Sequence, residues 1–509
     1  MERVITKLAK IHSQLAKSRS LFSLYFIYFL FFSFLGFLAL KISKPRTTLP
    51  LHDLDLYFTS VSAITASSIS TVDMEVFSNT QLIIITLVMF LGSEISTSFL
   101  SLCLTHFTNF VFPRYKTISH LMGSLNLDLP QEDCSIDLED VTNHRESHDV
   151  KMNEKASKCL YKVVLGYHLV TNLAGSLLLL VYVNFVKTVR DILDSKKISP
   201  LTFSIFTSIS TFANCGFIPM NENMVIFRKN SGLLWILIPQ VLMGNTLFPC
   251  FLRLLLWGLD KITKREEYGY ILKNHKKMRY SHLLSVRLCV SLGLTVLGFL
   301  IIHLILLCVF EWRLESLQGM NWYEKIVGSL FLVVNTRHAG ETIVDFSTLS
   351  PAILILFTFI MYLPPYTLFM TLTKKNKNNK ERGKETENEK EAKKSGFFVS
   401  QLSFLAICIF LVCTTERQKL QRDPLNFNVF NITLEVISAY GNVGFTTGYS
   451  CERRLNIDDV GCKNASYGFA GRWSSSGKII LIIVMFYGRF KQFSAKSGRT
   501  WILYPSWFS

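Results

Sequence analysis

The sequence lacks the motifs that identify most soluble enzymes. It contains no GxGxxG after a predicted strand, no Walker loop, no HExxH and no paired CxxC. A polytopic membrane enzyme would need clustered His, Asp or Glu at membrane depth, whereas His168, His303 and His338 are isolated in the sequence. These absences argue against an enzyme, and they predict that the chain needs no cofactor.

Charge is also scarce. Only 18% of the 509 residues are charged, while 49% are hydrophobic and 41 are Phe. That is more apolar surface than a soluble chain of this length buries, which indicates a membrane protein surrounded by lipid. The uncharged run 21–40 is long enough to cross a bilayer core of ~30 Å. It exceeds the apolar region of a signal peptide, and no small-residue cleavage site follows it.

Acidic residues are outnumbered by basic ones, which gives a net charge of +17, but the pattern does not indicate nucleic-acid binding. The basic residues form blocks between apolar runs, at 1–20, 258–282 and 373–395, rather than one soluble face. Under the positive-inside rule these blocks predict a cytosolic N-terminus and two cytosolic connections.

One stretch of the chain repeats. The sequence FTSVSAITASS, which ends at Ser68, returns without a gap as FTSISTFANCG, which ends at Gly216. Weaker copies end at Gly340 and Gly444, so one equivalent position holds Ser once and Gly three times. Four quarter-walls close a ring around one axis, so a fourfold unit with a short Ser/Gly loop predicts a pore.

Each copy lies between two apolar segments. The sequence therefore predicts an all-α polytopic membrane protein with four fused membrane-pore-membrane repeats around one pseudo-fourfold pore, comprising eight transmembrane helices and four re-entrant pore loops. We refer to the repeats as A (21–105), B (159–257), C (283–372) and D (396–493). The remaining segments are predicted to be cytosolic: the N-terminus 1–20, the connections 106–158, 258–282 and 373–395, and the C-terminus 494–509. The predicted spans are 21–40, 81–104, 159–185, 231–256, 283–310, 352–372, 396–413 and 477–490, and the pore loops are 53–68, 199–216, 323–340 and 429–444.

The four equivalent positions form the predicted selectivity filter, where Na⁺ would bind: Ser68, Gly216, Gly340 and Gly444. A cation leaves water only if oxygens replace its hydration shell, and converging backbone carbonyls can supply them. Glycine adopts backbone angles closed to other residues, which suits this role; simple turn glycines are the alternative. Ser68 narrows one side or replaces a carbonyl with a hydroxyl, so we expect it to handicap K⁺ more than Na⁺. A serine turned away from the axis is the alternative there.

Charged residues follow the filter segments and the last span. The acids predict an outer vestibule that concentrates cations, with simple solvated loop acids as the alternative: Asp73, Glu75, Glu222, Glu341 and Asp345. Arg489 follows Gly488 at a depth where a charge is costly unless it meets a partner or a cavity. We predict that Arg489 forms a positive barrier below the filter. The alternative is a structural arginine tied to Glu94 or to carbonyl groups.

An outer polar loop in repeat D carries two further features. Cys451 and Cys462 flank this loop, so a disulfide between them is expected, with unpaired thiols as the alternative. The sequons at Asn431 and Asn464 lie on the same side and predict N-glycosylation, although such triplets also occur by chance.

These segments resemble a known family. The stretches FTSVSAITASSISTVDMEVFSN, FTSISTFANCGFIPMNENM, NTRHAGE and SAYGNVGFTTGYS, with LMGNTLFP and FYGRFKQF, are similar to the plant HKT sodium/potassium transporters of the Trk/Ktr/HKT superfamily. The resemblance covers essentially the whole chain. It implies cation uptake at the plasma membrane by a homodimer with a separate pore in each subunit.

The resemblance also bears on selectivity. Ser at the first filter position resembles the sodium-selective subgroup, which implies retrieval of Na⁺ from xylem sap and salt tolerance. Arg489 matches the family's pore-facing basic residue. Asn214 and Asn245 are not acidic, so nothing there argues for restored K⁺ transport.

Two other interpretations stay open. A mixed Na⁺/K⁺ pathway would keep the pore but not the selectivity. A coupled solute transporter would also be polytopic, but its site is usually built from broken helices in inverted repeats, whereas these repeats share one orientation.

Overall fold

The computed structural model describes residues 23–47, 51–111, 136–275, 277–278, 280–364, 366–368, 401–454, 462, 464–491 and 501–502. These residues form helices joined by turns, with one parallel pair of two-residue strands, β1 (Thr367–Leu368) and β2 (Trp501–Ile502). The prediction of an all-α membrane protein is confirmed. The predicted cytosolic segments 1–20 and 373–395 lie outside the described residues.

The α-helices follow one another in this order: α1 (Ser23–Ile42), α2 (Asp53–Thr65), α3 (Asn79–Gly92), α4 (Glu94–Val111), α5 (Ile136–Phe185), α6 (Lys187–Ser195), α7 (Pro200–Phe212), α8 (Ser231–Gly244), α9 (Phe248–Thr263), α10 (Glu266–Lys273), α11 (Val286–Glu311), α12 (Trp322–Asn335), α13 (Pro351–Tyr362), α14 (Gln401–Thr415), α15 (Arg417–Arg422), α16 (Val429–Gly441) and α17 (Ser475–Lys491). Short 3₁₀ turns lie at Met74–Val76, Asn223–Phe227, Glu315–Leu317, Phe346–Thr348, Cys451–Arg453 and Phe469–Arg472. The helices α2, α7 and α16 lie inside segments predicted to be pore loops, and α12 begins one residue before the third such segment; we call these four the pore helices.

Local sequence signals set several helix starts. Ser78 accepts a hydrogen bond from the Gln81 backbone N–H, and the Gln81 side chain accepts one from the Ser78 N–H, which makes a capping box before α3. Asn321 and Glu324 begin α12 in the same way. Pro200 and Pro351 occupy the first turn of α7 and α13, where the missing N–H leaves no intrahelical bond unmade.

Several helices can cross a membrane by length and composition. Within the part of the chain that the structure describes, three do so alone: α1, residues Lys151–Phe185 of α5, and α11. Two more spans form if each bent pair counts once, α3 with α4 at 56° and α8 with α9 at 87°. Eight spans therefore remain a prediction. The segments 81–104 and 231–256, predicted as single helices, are each broken in two.

In three repeats, a glycine packs the helix that follows the pore helix, which we call the second helix, against that pore helix. A methyl group added to Gly92 would overlap the carbonyl of Ile64 in α2, and one on Gly244 would overlap that of Phe212 in α7. Gly488 meets the carbonyl of Tyr440 in the same way. Each carbonyl belongs to the residue four positions before a filter position, so three repeats share one contact. Both α3 and α8 end at this glycine, which is where the two predicted spans break.

Burial separates the outer helices from the pore helices. Helix α11 exposes Leu294, Ile301 and Val309 at 58%, 48% and 71%, although all three are apolar. The pore helices instead carry fully buried apolar residues, such as Phe58 in α2 and Phe206 in α7. The exposed faces are those that lipid covers in a membrane protein, so the four pore helices occupy the interior.

Candidate functional site

The four filter positions share an unusual backbone conformation. The φ angles of Ser68, Gly216, Gly340 and Gly444 are 56°, 74°, 67° and 104°, all in the left-handed region. Glycine adopts this region at little cost, whereas serine pays for its Cβ. Each position lies three to five residues after the end of its pore helix, so the same turn recurs four times.

The four turns lie against one another in a ring. A methyl group on Gly216 would overlap the carbonyl oxygen of Ala339, and one on Gly340 would lie 2.6 Å from the carbonyl oxygen of Val443. On Gly444 it would overlap the Cβ of Ser68 and lie 2.9 Å from the carbonyl oxygen of Ser67. The Cys215 thiol lies 4.0 Å from the Ser62 carbonyl oxygen, and this contact joins repeat B to repeat A. The order around the ring is thus A, D, C, B.

This ring brings backbone carbonyl oxygens close to neighbouring filter turns. Ala339, Val443 and Ser67 each precede a filter residue directly, and each lies within contact range of the next repeat's filter turn. The C-terminal ends of the pore helices, which carry about half a negative charge each, lie beside it. Such an arrangement can replace the hydration shell of a cation and is unfavourable to an anion.

A cavity, which we call the inner cavity, lies beside the C-terminal ends of the pore helices. Residues that precede the filter and residues from the second helices line it: Ala66, Ala213, Asn214, Asn245, Arg337, Met361, Leu363, Gly441, Asn442, Arg489 and Lys491. Arg489 is therefore at the place where a barrier is predicted. Its guanidinium also donates to the Gly92 carbonyl at 2.5 Å, at the end of α3.

Two further basic residues line the inner cavity, and both bind carbonyls. Arg337 donates to the carbonyl of Pro364, just after α13. Lys491 lies 3.2 Å from the Tyr440 carbonyl and 3.4 Å from the centroid of that tyrosine ring. Each of the three cations thus lies near carbonyls freed at a helix end, where positive charge is stabilised. The sequence did not identify Arg337 or Lys491, because nothing in the pattern shows which carbonyls they meet.

Two of the asparagines that line this cavity occupy equivalent places in repeats B and D. Asn214 and Asn442 each precede a filter glycine by two residues, with φ of 55° and 53°. The side-chain oxygen of each lies 3.0 Å from where a methyl group on the neighbouring Gly244 or Gly488 would be. Asn442 donates to Ser67 Oγ at 2.8 Å, which joins repeat D to repeat A.

The predicted vestibule acids divide into different environments. Glu75 and Glu222 both accept hydrogen bonds from the Lys196 ammonium, each at 2.7 Å. Asp345 is exposed and accepts a hydrogen bond from the Ser347 N–H at 2.9 Å, whereas Asp73 is partly buried. Glu341, the fifth predicted vestibule acid, lies in a different environment from the other four. It is fully buried and accepts a hydrogen bond from Thr211 Oγ1 at 2.5 Å, because its side chain turns toward the pore helix of repeat B.

The outer loop of repeat D is cross-linked. The structure pairs Cys451 with Cys462 in a disulfide, with a Cα–Cα distance of 6.0 Å. Asn464 is exposed beside it, and its side-chain oxygen accepts a bond from the Cys451 N–H at 2.8 Å. Asn431 is only 7% exposed, and its amide nitrogen donates to the Asn426 carbonyl at 2.8 Å. Glycosylation at Asn431 stays a prediction, and its acceptor nitrogen is buried in the fold.

Comparison with known proteins assigns this pore-like arrangement to a family. A family model described as TrkH, cation transport protein, matches residues 135–496. The chain belongs to the TrkH cation transport protein family. This TrkH-family chain is 74% identical over 507 residues to the sodium transporter HKT1 of Arabidopsis thaliana, covering 99% of this chain and all of the relative. It is 46% identical over 479 residues to the cation transporter HKT1;3 of Oryza sativa subsp. japonica, covering 91% and 88% of the two chains.

The family fixes the class of activity. The resemblance to HKT transporters of the Trk/Ktr/HKT superfamily is confirmed, and the TrkH-family chain is a multi-pass membrane protein that transports cations and is not an enzyme. Lys196, which lies between two predicted vestibule acids, is the functional candidate that sequence reasoning missed at the outer side.

Proposed function

We propose that this chain is a plasma-membrane pore that carries Na⁺ into cells in preference to K⁺. The observation that carries the proposal is the ring of four left-handed turns in which Ser68 touches Gly444. The relative that shares 74% identity is named a sodium transporter, which supports the same ion for this chain.

In this proposal, selectivity depends on the side chain that fills the space beside the Gly444 backbone. A glycine at position 68 would leave a gap beside the Gly444 backbone, whereas the Ser68 Cβ fills it. We propose that this side chain makes the ring narrower on its side than a ring of four glycines would be. A narrower ring fits the smaller Na⁺ better than K⁺, and the carbonyls of Ser67, Ala339 and Val443 supply oxygens to the dehydrated ion.

The proposed pore also has a positive barrier, a defined orientation and a dimeric assembly. The positive charge of Arg489 in the inner cavity opposes cation movement beneath the filter and limits conductance. The N-terminus lies in the cytosol, and two chains form a dimer with one pore each. In the plant, the chain retrieves Na⁺ from xylem sap and so protects the shoot from salt.

The test is two-electrode voltage clamp on oocytes that express the full chain. The reversal potential is recorded while external Na⁺ and then external K⁺ are varied. A shift near the Nernst slope with Na⁺ alone supports the proposal. Equal shifts with both ions contradict selectivity and favour a mixed pathway. Absence of current at verified surface expression contradicts the pore and favours coupled transport.

A further inference from the structure

The outer mouth of the ring is built by loops from all four repeats. The side-chain oxygen of Asn221 accepts a hydrogen bond from the Glu75 N–H at 3.4 Å, and the backbone carbonyl of Asn221 accepts one from Ser466 Oγ at 3.4 Å. The neighbouring Asn223 accepts a bond from the Thr342 N–H at 3.3 Å. Since residues 75, 221–223 and 342 follow their filter positions closely, these contacts surround the entrance.

A single lysine lies between two acids of this entrance. The Lys196 ammonium is 2.7 Å from a carboxylate oxygen of Glu75 in repeat A and 2.7 Å from one of Glu222 in repeat B. Its backbone carbonyl accepts a hydrogen bond from Arg46 at 3.1 Å, which fixes the turn after α6. Partial burial lowers the pKa of Lys196, but the hydrogen bonds and charges of Glu222 and Glu75 outweigh it, and the pKa is raised. The side chain is therefore a permanent positive charge near pH 7.

We propose that Lys196 is a conduction-determining residue that partly neutralises Glu75 and Glu222 at the entrance and thereby limits the cation concentration there. The inference rests on the proposed cation pathway. The two carboxylates and the ammonium together carry one negative charge, and removal of the lysine would leave two. A field of that kind raises the local concentration of cations and their rate of entry.

The size of the effect follows from Coulomb's law. One extra negative charge at about 8 Å in water multiplies the local concentration of a monovalent cation by about twofold. Salt shortens the reach of the charge to about 10 Å at 0.1 M and about 3 Å at 1 M, so the effect fades as ionic strength rises. This salt dependence separates an electrostatic role from a purely structural one.

The experiment compares inward Na⁺ current in oocytes for the full chain and for Lys196→Gln, normalised to surface protein. At low external Na⁺ with sorbitol replacing salt, Lys196→Gln is expected to carry about twofold more current. The difference should vanish at high ionic strength. Lys196→Arg retains the charge and should match the parent chain. Lys197→Gln is the matched control, because it removes the same charge from an exposed neighbour that lies one residue further on.

The double variant Glu75→Gln with Lys196→Gln distinguishes charge from structure. It returns the net charge of the cluster to one negative unit, so the current should return to the parent value. A current that stays altered in the double variant overturns the proposal and assigns Lys196 a purely structural role. Unchanged current in Lys196→Gln also overturns it. Absence of current in the parent chain would instead contradict the proposed pore.

Discussion

At the scale of single residues, Ser68 combines backbone strain with a packing role. A residue with a Cβ in the left-handed region costs roughly 1–2 kcal/mol, and the φ of Ser68 is 56°. Its Cβ is also in the space that a side chain at position 444 would need. The strain is tolerated because the ring holds the turn in place. The residue that we propose as the determinant of selectivity is therefore also a residue with a strained backbone.

We predict that Ser68→Gly admits K⁺ because it opens the gap beside Gly444 and relieves the strained turn. The measurement is the shift in reversal potential when external Na⁺ is replaced by K⁺. Ser68→Ala is the matched control, since it keeps the Cβ and removes only the hydroxyl, and we expect it to remain selective for Na⁺. An unchanged permeability ratio in Ser68→Gly would refute the assignment.

We predict that Arg489→Gln raises inward current per surface molecule because it removes a positive charge from the inner cavity. Arg489→Lys retains the charge and serves as the control. The guanidinium also binds the Gly92 carbonyl, so the glutamine variant should melt at a lower temperature as well. A lower melting temperature with unchanged current would mean that Arg489 only holds the end of α3.

Several residue contacts could not be predicted from the sequence. Arg489 was recognised as a charge in an apolar helix, but its partner Gly92 is 397 residues away. Lys196 binds acids that lie 121 and 26 residues away in the sequence. Nothing in the sequence distinguishes this loop lysine from its neighbours. The filter positions were predictable because the repeat marks them, whereas pair contacts between repeats leave no periodic signal.

At the scale of elements, a buried ion pair joins the first pore helix to the last helix. Lys478 near the start of α17 lies 2.6 Å from Asp55 in α2, and their side chains are only 11% and 9% exposed. The bond links repeats A and D, which also meet at Ser68 and Gly444. Breaking a buried pair leaves an uncompensated charge, which usually costs about 3–5 kcal/mol.

We predict that Asp55→Asn lowers the melting temperature of the detergent-purified chain, with a loss of about 3–5 kcal/mol. Asp53→Asn is the control on the same helix. Asp53 pairs with Lys41 at 2.6 Å, but the side chains of Asp53 and Lys41 are 62% and 50% exposed, so its loss should cost under about 1 kcal/mol. Equal melting shifts for the two variants would contradict a stabilising role for the buried pair.

The sequence also predicted elements better than it predicted their bends. The four pore helices coincide with the four segments that the repeat indicated, except that α12 begins one residue earlier, at Trp322. The sequence does not predict the breaks at Gly92 and Gly244, because a straight helix and a bent pair of helices have the same apolar sequence pattern. What bends these runs is the contact of a glycine with a carbonyl of another helix, which depends on the assembled fold.

At the scale of the whole molecule, the charge blocks and the outer loop of repeat D predict one orientation in the membrane. The disulfide and the exposed Asn464 lie together in repeat D, after the filter segment. The basic segments precede repeat A or join one repeat to the next. The two groups of features should therefore be on opposite sides of the bilayer.

We predict one N-linked glycan, at Asn464. Treatment of the chain from a eukaryotic host with a peptide N-glycosidase should increase its mobility on a gel, and Asn464→Gln should abolish that change. Asn431→Gln should leave the change intact because that side chain is buried. A glycosidase-sensitive shift that survives in Asn464→Gln but is lost in Asn431→Gln would contradict the structure of this loop.

The contact between Ser68 and Gly444 has a consequence for how such a pore can change during evolution. In a tetramer of identical subunits, any substitution in the filter is made four times, and each serine would face another serine instead of a glycine. Because the four repeats are joined in one polypeptide, a single quarter can mutate while the other three keep the glycines that make room for it. Covalent fusion thus permits stepwise adjustment of ion preference through one codon.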